Sequence, residues 1–282
     1  MLLGSHLSIA GGMHRALVKA GSYGFDTVAV FVRSQVQWHV PPLTVEAVSQ
    51  FRRTRRRLGV SPVVAHGSYL VNLAGNRDVR RKSIAAMIAD LGRCGRLGIE
   101  YLVFHPGSNA DPQRGIELVA RALDEIIAAC PHRRPKILIE TTAGQGNSLG
   151  HSFEQIAAIL ARLGRPRRFG VCLDTCHVFA AGCDIRSPRA YKRTLQAFGD
   201  TIGLDRLLAI HLNDSLRALG SRVDRHAHIG RGRIGLQGFA NFVNDERLAE
   251  VPMILETPKG LDEHGRDWDA INAKAIRKLV RC

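Results

Sequence analysis

The chain has 282 residues, of which 45% are hydrophobic, and carries 40 Lys and Arg against 25 Asp and Glu, a formal net charge of +15. This length allows one large α/β barrel or two smaller domains, and the sequence contains neither an apolar run long enough to span a bilayer nor a signal-peptide pattern after Met1. The positive charge favours a polyanionic partner such as nucleic acid, although an arginine-rich proteome would produce the same excess.

The densest basic run is Phe51–Leu58. It falls in a predicted helix between two predicted strands, so a solvated outer face is favoured over a nucleic-acid contact. The six cysteines have no spacing typical of a disulfide framework, and Cys94, Cys172 and Cys183 lie in apolar patterns. We therefore expect reduced thiols in a cytoplasmic protein.

Eight apolar runs recur with the spacing of strands in a barrel. They are Leu3–Ile9, Phe25–Val32, Pro62–His66, Tyr101–Pro106, Lys136–Thr141, Phe169–Thr175, Leu207–Asn213 and Pro252–Thr257. Helical patterns follow them at His14–Ala20, Thr44–Leu58, Val79–Leu97, Gly115–Ala129, Ser152–Leu163, Arg189–Thr201, Phe239–Asp245 and Trp268–Val280. This alternation predicts parallel strands with right-handed crossovers. Eight repeats predict a (β/α)8 TIM barrel, and the absence of a linker predicts a single domain over residues 1–282.

The signals at the ends of the elements agree with this pattern. Thr44 and Ser152 are expected helix N-caps, and Gly59, Gly98 and Gly164 are expected just past helix ends. Long or unusual loops follow the fifth, seventh and eighth strands. Their ranges are Thr142–Asn147, Ser215–Arg233 and Pro258–Asp267. In a TIM barrel the loops after the strands form the functional face.

The predicted strands end in residue types that bind metals. In chain order these are His66, His105, Glu140, Asp174 with His177, His211 and Glu256, and the loop after the seventh strand adds Asp224 and His226. The Asp-x-His spacing can place both side chains on one side of an extended segment. Since the carboxyl ends of barrel strands meet at one mouth, we expect all nine to converge there.

Mixed sets of imidazole and carboxylate suit Zn²⁺, and less well Mn²⁺ or Fe²⁺. Nine ligands are too many for one tetrahedral site, so the pattern indicates two or three ions with a bridging carboxylate. Such clusters hydrolyse phosphoesters. Glu140 ends an apolar strand without an adjacent Lys or Arg, so burying it without a cation would be costly.

Other residues have simpler interpretations. A single His at a strand end is more often hydrogen-bonded than metal-bound, and His6 and His228 are assigned that role. Cys172 and Cys176 are spaced like a metal pair, but Cys172 alternates within its strand and is interpreted as core. Gly144–Gly146 is equally consistent with a phosphate-binding loop and with a turn.

Several motifs together resemble the endonuclease IV family of abasic-site DNA-repair enzymes from end to end. The first are Gly4–Ser8, Ala10–Gly12, His66–Leu70, Phe104–Ser108 and Glu140–Gly146. The others are Gly170–His177, His211–Asp214, Ser221–His226 and Leu255–Thr257. The resemblance implies a TIM barrel with three zinc ions, for which Mn²⁺ or Fe²⁺ are possible substitutes. It also implies incision of duplex DNA 5′ to an abasic site, leaving 3′-hydroxyl and 5′-deoxyribose phosphate ends.

The resemblance also implies roles for individual residues. His66, His105 and Glu140 would hold one ion, and Glu140 would bridge to a second, completed by Asp174, His211 and Glu256. His177, Asp224 and His226 would hold the third. The implied catalytic residues are Glu140 and Glu256, the latter orienting the attacking water. The implied DNA contacts are Gln35, Trp38, Tyr69, Leu70 and Arg225.

One position departs from the family. Val36 stands in the DNA-reading segment where well-studied members have Arg, although an apolar wedge can still open a base step. We expect a monomer that associates with the nucleoid if the source is bacterial, and a 3′-end-trimming phosphodiesterase activity remains open.

Two alternatives remain. A metal-dependent sugar isomerase or epimerase would place His and acids at the same mouth, but no predicted strand ends in the Lys that it would usually use. A charge of +15 would also serve no purpose for a neutral sugar. A non-catalytic binder of abasic DNA is disfavoured because the ligand set is complete.

Overall fold

A computed structural model describes residues 1–130 and 135–281. Eight parallel strands form the barrel: β1 (Leu2–Ser5), β2 (Val28–Phe31), β3 (Val63–His66), β4 (Tyr101–Phe104), β5 (Lys136–Glu140), β6 (Phe169–Asp174), β7 (Leu207–Leu212) and β10 (Pro252–Leu255). They are hydrogen-bonded in the order β1-β10-β7-β6-β5-β4-β3-β2. The backbone N–H of Leu7 donates to the carbonyl of Ala29 over 2.9 Å, which brings β1 against β2 and nearly closes the barrel. The TIM-barrel prediction is confirmed.

Nine α-helices lie within the described residues. They are α1 (Met13–Ser22), α2 (Val45–Leu58), α3 (Arg77–Leu97), α4 (Pro112–Ala129), α5 (Phe153–Leu160), α6 (Thr175–Ala180), α7 (Pro188–Thr201), α8 (Gly235–Val243) and α9 (Trp268–Arg277). Short 3₁₀ turns cover Pro166–Arg168, Leu204–Arg206 and Glu246–Leu248. None of the helices in the described ranges is both long and apolar enough to cross a membrane. A small antiparallel hairpin, β8 (Asp214–Ser215) with β9 (His226–Ala227), lies in the loop after β7.

The predicted helix signals are largely confirmed. The side chains of Thr44 and Ser152 accept hydrogen bonds from backbone amides at the starts of α2 and α5. Gly59 and Gly98 end α2 and α3 in the left-handed conformation. The prediction for Gly164 is wrong, because α5 already ends at Leu160. All eight barrel strands are shorter than predicted, since apolar runs such as Phe25–Val32 continue into loop outside the ladder. The prediction of a single domain over residues 1–282 remains a prediction.

The inside of the barrel has its own apolar layer. It consists of Ala29, Val64, Val103, Leu138, Cys172, Ala209 and Ile254, one from each of seven strands, and it is separate from the larger core between strands and helices. Cys172 is therefore core, as predicted. Because strand side chains alternate, the next inward positions lie two residues further along. Those positions are Phe31, His66, His105, Glu140, Asp174, His211 and Glu256. An apolar layer thus supports a polar one at the carboxyl ends of the strands.

Candidate metal centre

Glu140 lies at the centre of this polar layer and is fully buried. Its Oε2 is 3.0 Å from Nε2 of His66 and 3.0 Å from Nε2 of His105. Its Oε1 is 2.8 Å from Nδ1 of His211. The ion pairs of Glu140 within the described part of the chain all involve histidine. Each carboxylate oxygen thus faces a different group of imidazoles, which is the geometry of a bridging ligand.

A central group forms around His211. The donor atoms of Glu140, Asp174, His211 and Glu256 all lie within 4.8 Å of one another. Nδ1 of His211 is 3.1 Å from Oε2 of Glu256. Asn213 supports this group from behind, since its Nδ2 donates to Asp174 over 2.6 Å. Four candidate ligands therefore converge on one point, and one of them, Glu140, also faces His66 and His105.

A third group forms around Asp224. Its two oxygens lie 3.0 Å from Nε2 of His177 and 3.2 Å from Nε2 of His226. Asp174 reaches this group as well, with Oδ2 3.8 Å from Nε2 of His226. The donor atoms of Asp174, His177 and His226 lie within 4.8 Å of one another, as do those of Cys176, Asp224 and His226. Burial raises the pKa of the Cys176 thiol, which keeps it neutral.

The helix α6, which the sequence pattern did not indicate, places His177. The side chain of Asp174 accepts a hydrogen bond from the backbone N–H of His177 over 2.8 Å and caps the helix. Asp174 and His177 therefore do not extend from one strand end as predicted: the first ends β6 and the second lies in the first turn of α6. An Asp directly after an apolar strand is the sequence signal for such a cap.

The hydrogen bonds of the histidine ring nitrogens indicate whether these residues can bind a cation. Nδ1 of His66 donates to the carbonyl of Gly67 over 2.7 Å, and Nδ1 of His177 donates to that of Thr141 over 2.8 Å. With its proton on Nδ1, the ring of His177 turns the Nε2 lone pair towards Asp224, and two acceptors then face each other. The Nε2 atoms of His177 and His226 are buried without a hydrogen-bond partner in the part of the chain described. A divalent cation would satisfy them.

The carboxylates around these rings also favour their protonated forms. Burial alone would lower the pKa of His177, but Asp174 and Asp224 raise it to about 10. Burial likewise opposes protonation of His226, yet Asp174 and Asp224 raise its pKa to about 9. Burial would raise the pKa of Glu140, but the neighbouring histidines hold it well below the usual range. Metal binding to such a set releases these protons.

His6 and Gln145 hold candidate ligands in place from outside the three groups. His6 is hydrogen-bonded, as predicted: its Nδ1 is 2.8 Å from Oε1 of Glu256, and its ring packs on Phe31 with centroids 4.3 Å apart. It therefore buttresses a candidate ligand 250 residues away in sequence. The Gly144–Gly146 segment forms a turn whose Gln145 side chain accepts from the backbone N–H of Asp224 over 3.1 Å.

The predicted DNA contacts are distributed around the mouth. Gln35, Val36 and Tyr69 line a cavity of about 760 Å³ whose other walls include His6 and Glu256. Ser68 Oγ donates to the carbonyl of Gln35 over 2.5 Å and joins the two loops. Trp38, Leu70 and Arg225 lie outside the cavity wall: Trp38 and Arg225 are exposed and Leu70 is half-buried.

Comparisons with known proteins agree with the fold. Residues 17–281 match a family model described as xylose isomerase-like TIM barrel. A "Probable endonuclease 4" from Geobacter sulfurreducens is 46% identical over 282 residues, covering 99% of this chain and 94% of the relative. The crystal structure of endonuclease IV from Thermus thermophilus superposes with a TM-score of 0.87 at 39% identity, covering 99% and 98% of the two chains. A D-tagatose 3-epimerase-like protein superposes with a TM-score of 0.72 at 18% identity, covering 99% and 96%, which reflects the shared fold alone.

The fold and the polar layer thus define a xylose isomerase-like TIM barrel with a histidine- and carboxylate-rich centre at its mouth. The identity to the endonuclease 4 proteins, which extends over the full length of the chain, places it more narrowly. The chain belongs to the endonuclease IV family and is a DNA-repair endonuclease.

Proposed function

We propose that this protein is a zinc-dependent AP endonuclease that hydrolyses the phosphodiester 5′ to an abasic site in duplex DNA. One observation carries the proposal: the two oxygens of the buried Glu140 face two separate groups of imidazoles. A bridging carboxylate of this kind supports a cluster of metals, and clusters of metals stabilise both oxygens of an in-line phosphoryl displacement. We propose three Zn²⁺ ions per chain, with Mn²⁺ or Fe²⁺ as substitutes.

The groups of donor atoms support the ligand assignment that the family resemblance implies. His66, His105 and Glu140 would hold the first ion, Glu140 with Asp174, His211 and Glu256 the second, and His177, Asp224 and His226 the third. The ions would supply activated water and neutralise charge that develops on the phosphate. Glu256 is held by His6 on one oxygen and faces His211 with the other, so it can orient the attacking water towards phosphorus. The products would be a 3′-hydroxyl and a 5′-deoxyribose phosphate.

Recognition of the DNA would depend on the loops around the mouth. Val36 and Tyr69 are 75% and 64% exposed beside a cavity that ends at Glu256. Apolar and aromatic side chains in this position can wedge into a base step. Extrusion of an abasic nucleotide costs little because no base has to be unstacked. Arg225 and the net charge of +15 would supply phosphate contacts. We further propose that the protein acts as a monomer in the cytoplasm, on nucleoid DNA if its source is bacterial.

The sugar isomerase alternative shares the fold but lacks a specific observation in its favour. Lys259, which lines the cavity at the mouth, pairs with Asp269 over 2.6 Å and is therefore not free to act as a base. A screen of aldoses and ketoses would detect that activity directly.

The proposal is tested with a labelled duplex that carries one tetrahydrofuran abasic analogue, without added Mg²⁺. The analogue cannot undergo β-elimination, so a lyase gives no product. We expect incision 5′ to the analogue that persists in brief chelation and fades as tightly bound metal is removed. Binding without incision by protein loaded with metal would indicate a non-catalytic binder, and incision that is indifferent to metal removal would contradict the proposed centre.

A further inference from the structure

Another buried carboxylate lies on the strand that pairs with the segment carrying Asp224 and His226. Asp214, in β8, is fully buried. Its Oδ1 accepts hydrogen bonds from the backbone amides of Ser215 and Ile234, over 2.8 and 2.9 Å. Its Oδ2 accepts from the amides of Gly230 and Gly232, both over 3.0 Å, and more weakly from Gly235 over 3.4 Å. Five backbone donors therefore surround one carboxylate.

Such a carboxylate is stable only while its donors stay in place, because an ionised group buried without hydrogen bonds is very costly. Hydrogen bonds to an ionised acceptor are also stronger than those between neutral groups. Two of the donors, Ile234 and Gly235, lie at the start of α8, where the helix dipole favours a negative charge. Asp214 thus fixes the path of the chain from residue 230 to residue 235.

The same hairpin holds two residues of the third group of ligands, Asp224 and His226. In the register of β8 with β9, Asp214 lies opposite Ala227 and Ser215 lies opposite His226. The backbone N–H of Leu216 donates to the carbonyl of Arg225 over 3.0 Å. Asp224, Arg225 and His226 are therefore attached to the strand that carries Asp214, and the donors of Asp214 lie on the segment that leaves that strand.

The glycines in this segment show how closely it fits. A Cβ at Gly232 would lie 2.4 Å from Oδ1 of Asp214 and 2.4 Å from the carbonyl oxygen of Ser215. Gly230 has a φ of +75°, a backbone conformation that residues with a side chain rarely adopt. Gly232 can approach Asp214 only because it lacks a side chain, and Gly230 provides the left-handed backbone that the segment needs.

We propose that Asp214 is a positioning residue for the third metal ion, which it serves by holding the hairpin of Asp224 and His226 without contacting the metal. The inference rests on the proposed metal centre. Outer partners of metal ligands typically alter metal affinity by about 10- to 100-fold. The effect should be confined to one ion, because the ligands His66, His105 and His211 come from other strands.

The test is to count zinc ions per chain and measure their release to a chromophoric chelator, using purified full-length protein loaded with zinc. Asp214→Asn places an amide donor against backbone donors. We expect this variant to bind one ion about 10- to 100-fold more weakly than wild type and to retain two with unchanged release rates. Gly232→Ala should weaken the binding of the same ion, because its methyl group would displace the carboxylate of Asp214. This second variant tests the inference if Asp214→Asn does not fold.

Asp262→Asn is the matched control. Asp262 also accepts backbone hydrogen bonds in a loop at the mouth, from His264 and Arg266, but its loop carries no ligand. This control should retain all three ions. Three ions of unchanged affinity in Gly232→Ala, or equal weakening of all three, would overturn the inference. A wild-type protein that binds fewer than three ions would overturn the proposed centre itself, and the inference with it.

Discussion

Asn213 donates a hydrogen bond from its Nδ2 to Oδ2 of Asp174 over 2.6 Å, from one strand end to its neighbour. Its Oδ1 accepts the backbone N–H of Glu256 over 2.9 Å. One buried amide therefore orients two candidate ligands of the central group. The amide is oriented by these contacts, because only its nitrogen can donate and only its oxygen can accept.

The first prediction concerns this amide. Asn213→Asp would put a second carboxylate beside Asp174, and two such groups cannot both remain ionised at that distance. We expect the central ion to bind about 10- to 100-fold more weakly. Zinc release measured with a chromophoric chelator checks this. Release kinetics like those of wild type would mean that Asn213 does not orient the ligands.

The second prediction separates the bridging ligand from a terminal one. Glu140→Gln removes the charge that faces both imidazole groups, so we expect loss of two ions and a fall in kcat larger than about 100-fold. Glu256→Gln should lose the central ion and leave the ion at His66 and His105 in place. Metal content and single-turnover incision are measured on the same samples. Equal metal content in the two variants would contradict a bridging role for Glu140.

The third prediction concerns the basic surface. The segment from Ser215 to Arg233 contains five arginines and one acid, so it is the most basic loop at the mouth. Arg225→Ala should reduce the slope of log affinity against log salt by about 1 if the side chain neutralises one phosphate. The readout is binding of a duplex containing the analogue at several salt concentrations.

Arg57→Ala supplies the control for that experiment. Arg57 is exposed in the last turn of α2, which leads to the start of β3 at the opposite end of the barrel from the mouth. We expect its salt slope to match wild type. A reduced slope for Arg57→Ala alone would instead identify Phe51–Leu58 as the nucleic-acid surface.

The barrel and most of the centre could be predicted from sequence for one physical reason. Strand side chains alternate, so an apolar residue inside the barrel, such as Leu138, is followed two positions later by one at the mouth, such as Glu140. The eight strands repeat this relation in a regular order, and the type of residue at each strand end is visible in the sequence. The fold prediction is confirmed by the structure, while the roles of the individual ligands remain predictions.

Other features depend on tertiary structure. Helix α6 has six residues, too few to show a helical period, and it depends on its cap at Asp174. His6 and Glu256 meet only when the barrel closes, and nothing local to either residue indicates the contact. The amide donors of Asp214 come from a loop of glycines whose conformation has no periodic signal. Such contacts arise from packing between distant segments, which local pattern does not report.

The fourth prediction concerns Val36, which is 75% exposed at the rim of the cavity. If it wedges into the duplex, Val36→Ser loses burial of one Val side chain, about 1.5 kcal/mol or roughly 10-fold in affinity. We expect a higher KM with kcat nearly unchanged. Val45→Ser is the matched control, since Val45 is 72% exposed at the start of α2 and does not line the cavity. Equal kinetics for the two variants would mean that Val36 makes no wedge.

The fifth prediction concerns how the stability of the protein depends on pH through the buried ion pair of Arg33 and Asp90. Arg33 Nε lies 3.0 Å from Oδ1 of Asp90, and Arg33 also donates to the carbonyl of Trp38 over 3.1 Å. Burial raises the pKa of Asp90 to about 6, against the opposing effect of Arg33 and Arg93. The folded protein therefore binds this proton more tightly than the unfolded chain does, so the free energy of unfolding falls as the pH rises from about 4 to about 6.

Asp90→Asn removes the titration and supplies the comparison. A shift of about 2 pKa units corresponds to about 3 kcal/mol in full, and most of it falls above pH 4, so the unfolding free energy of Asp90→Asn minus that of wild type should increase by about 2.5 kcal/mol between pH 4 and pH 7. The prediction concerns how this difference changes with pH and not its value at any one pH, because the substitution also alters the contact with Arg33 at every pH. Urea unfolding at several pH values measures it. A difference that stays constant, or that decreases as the pH rises, would show that Arg33 and Arg93 outweigh burial and keep Asp90 ionised throughout.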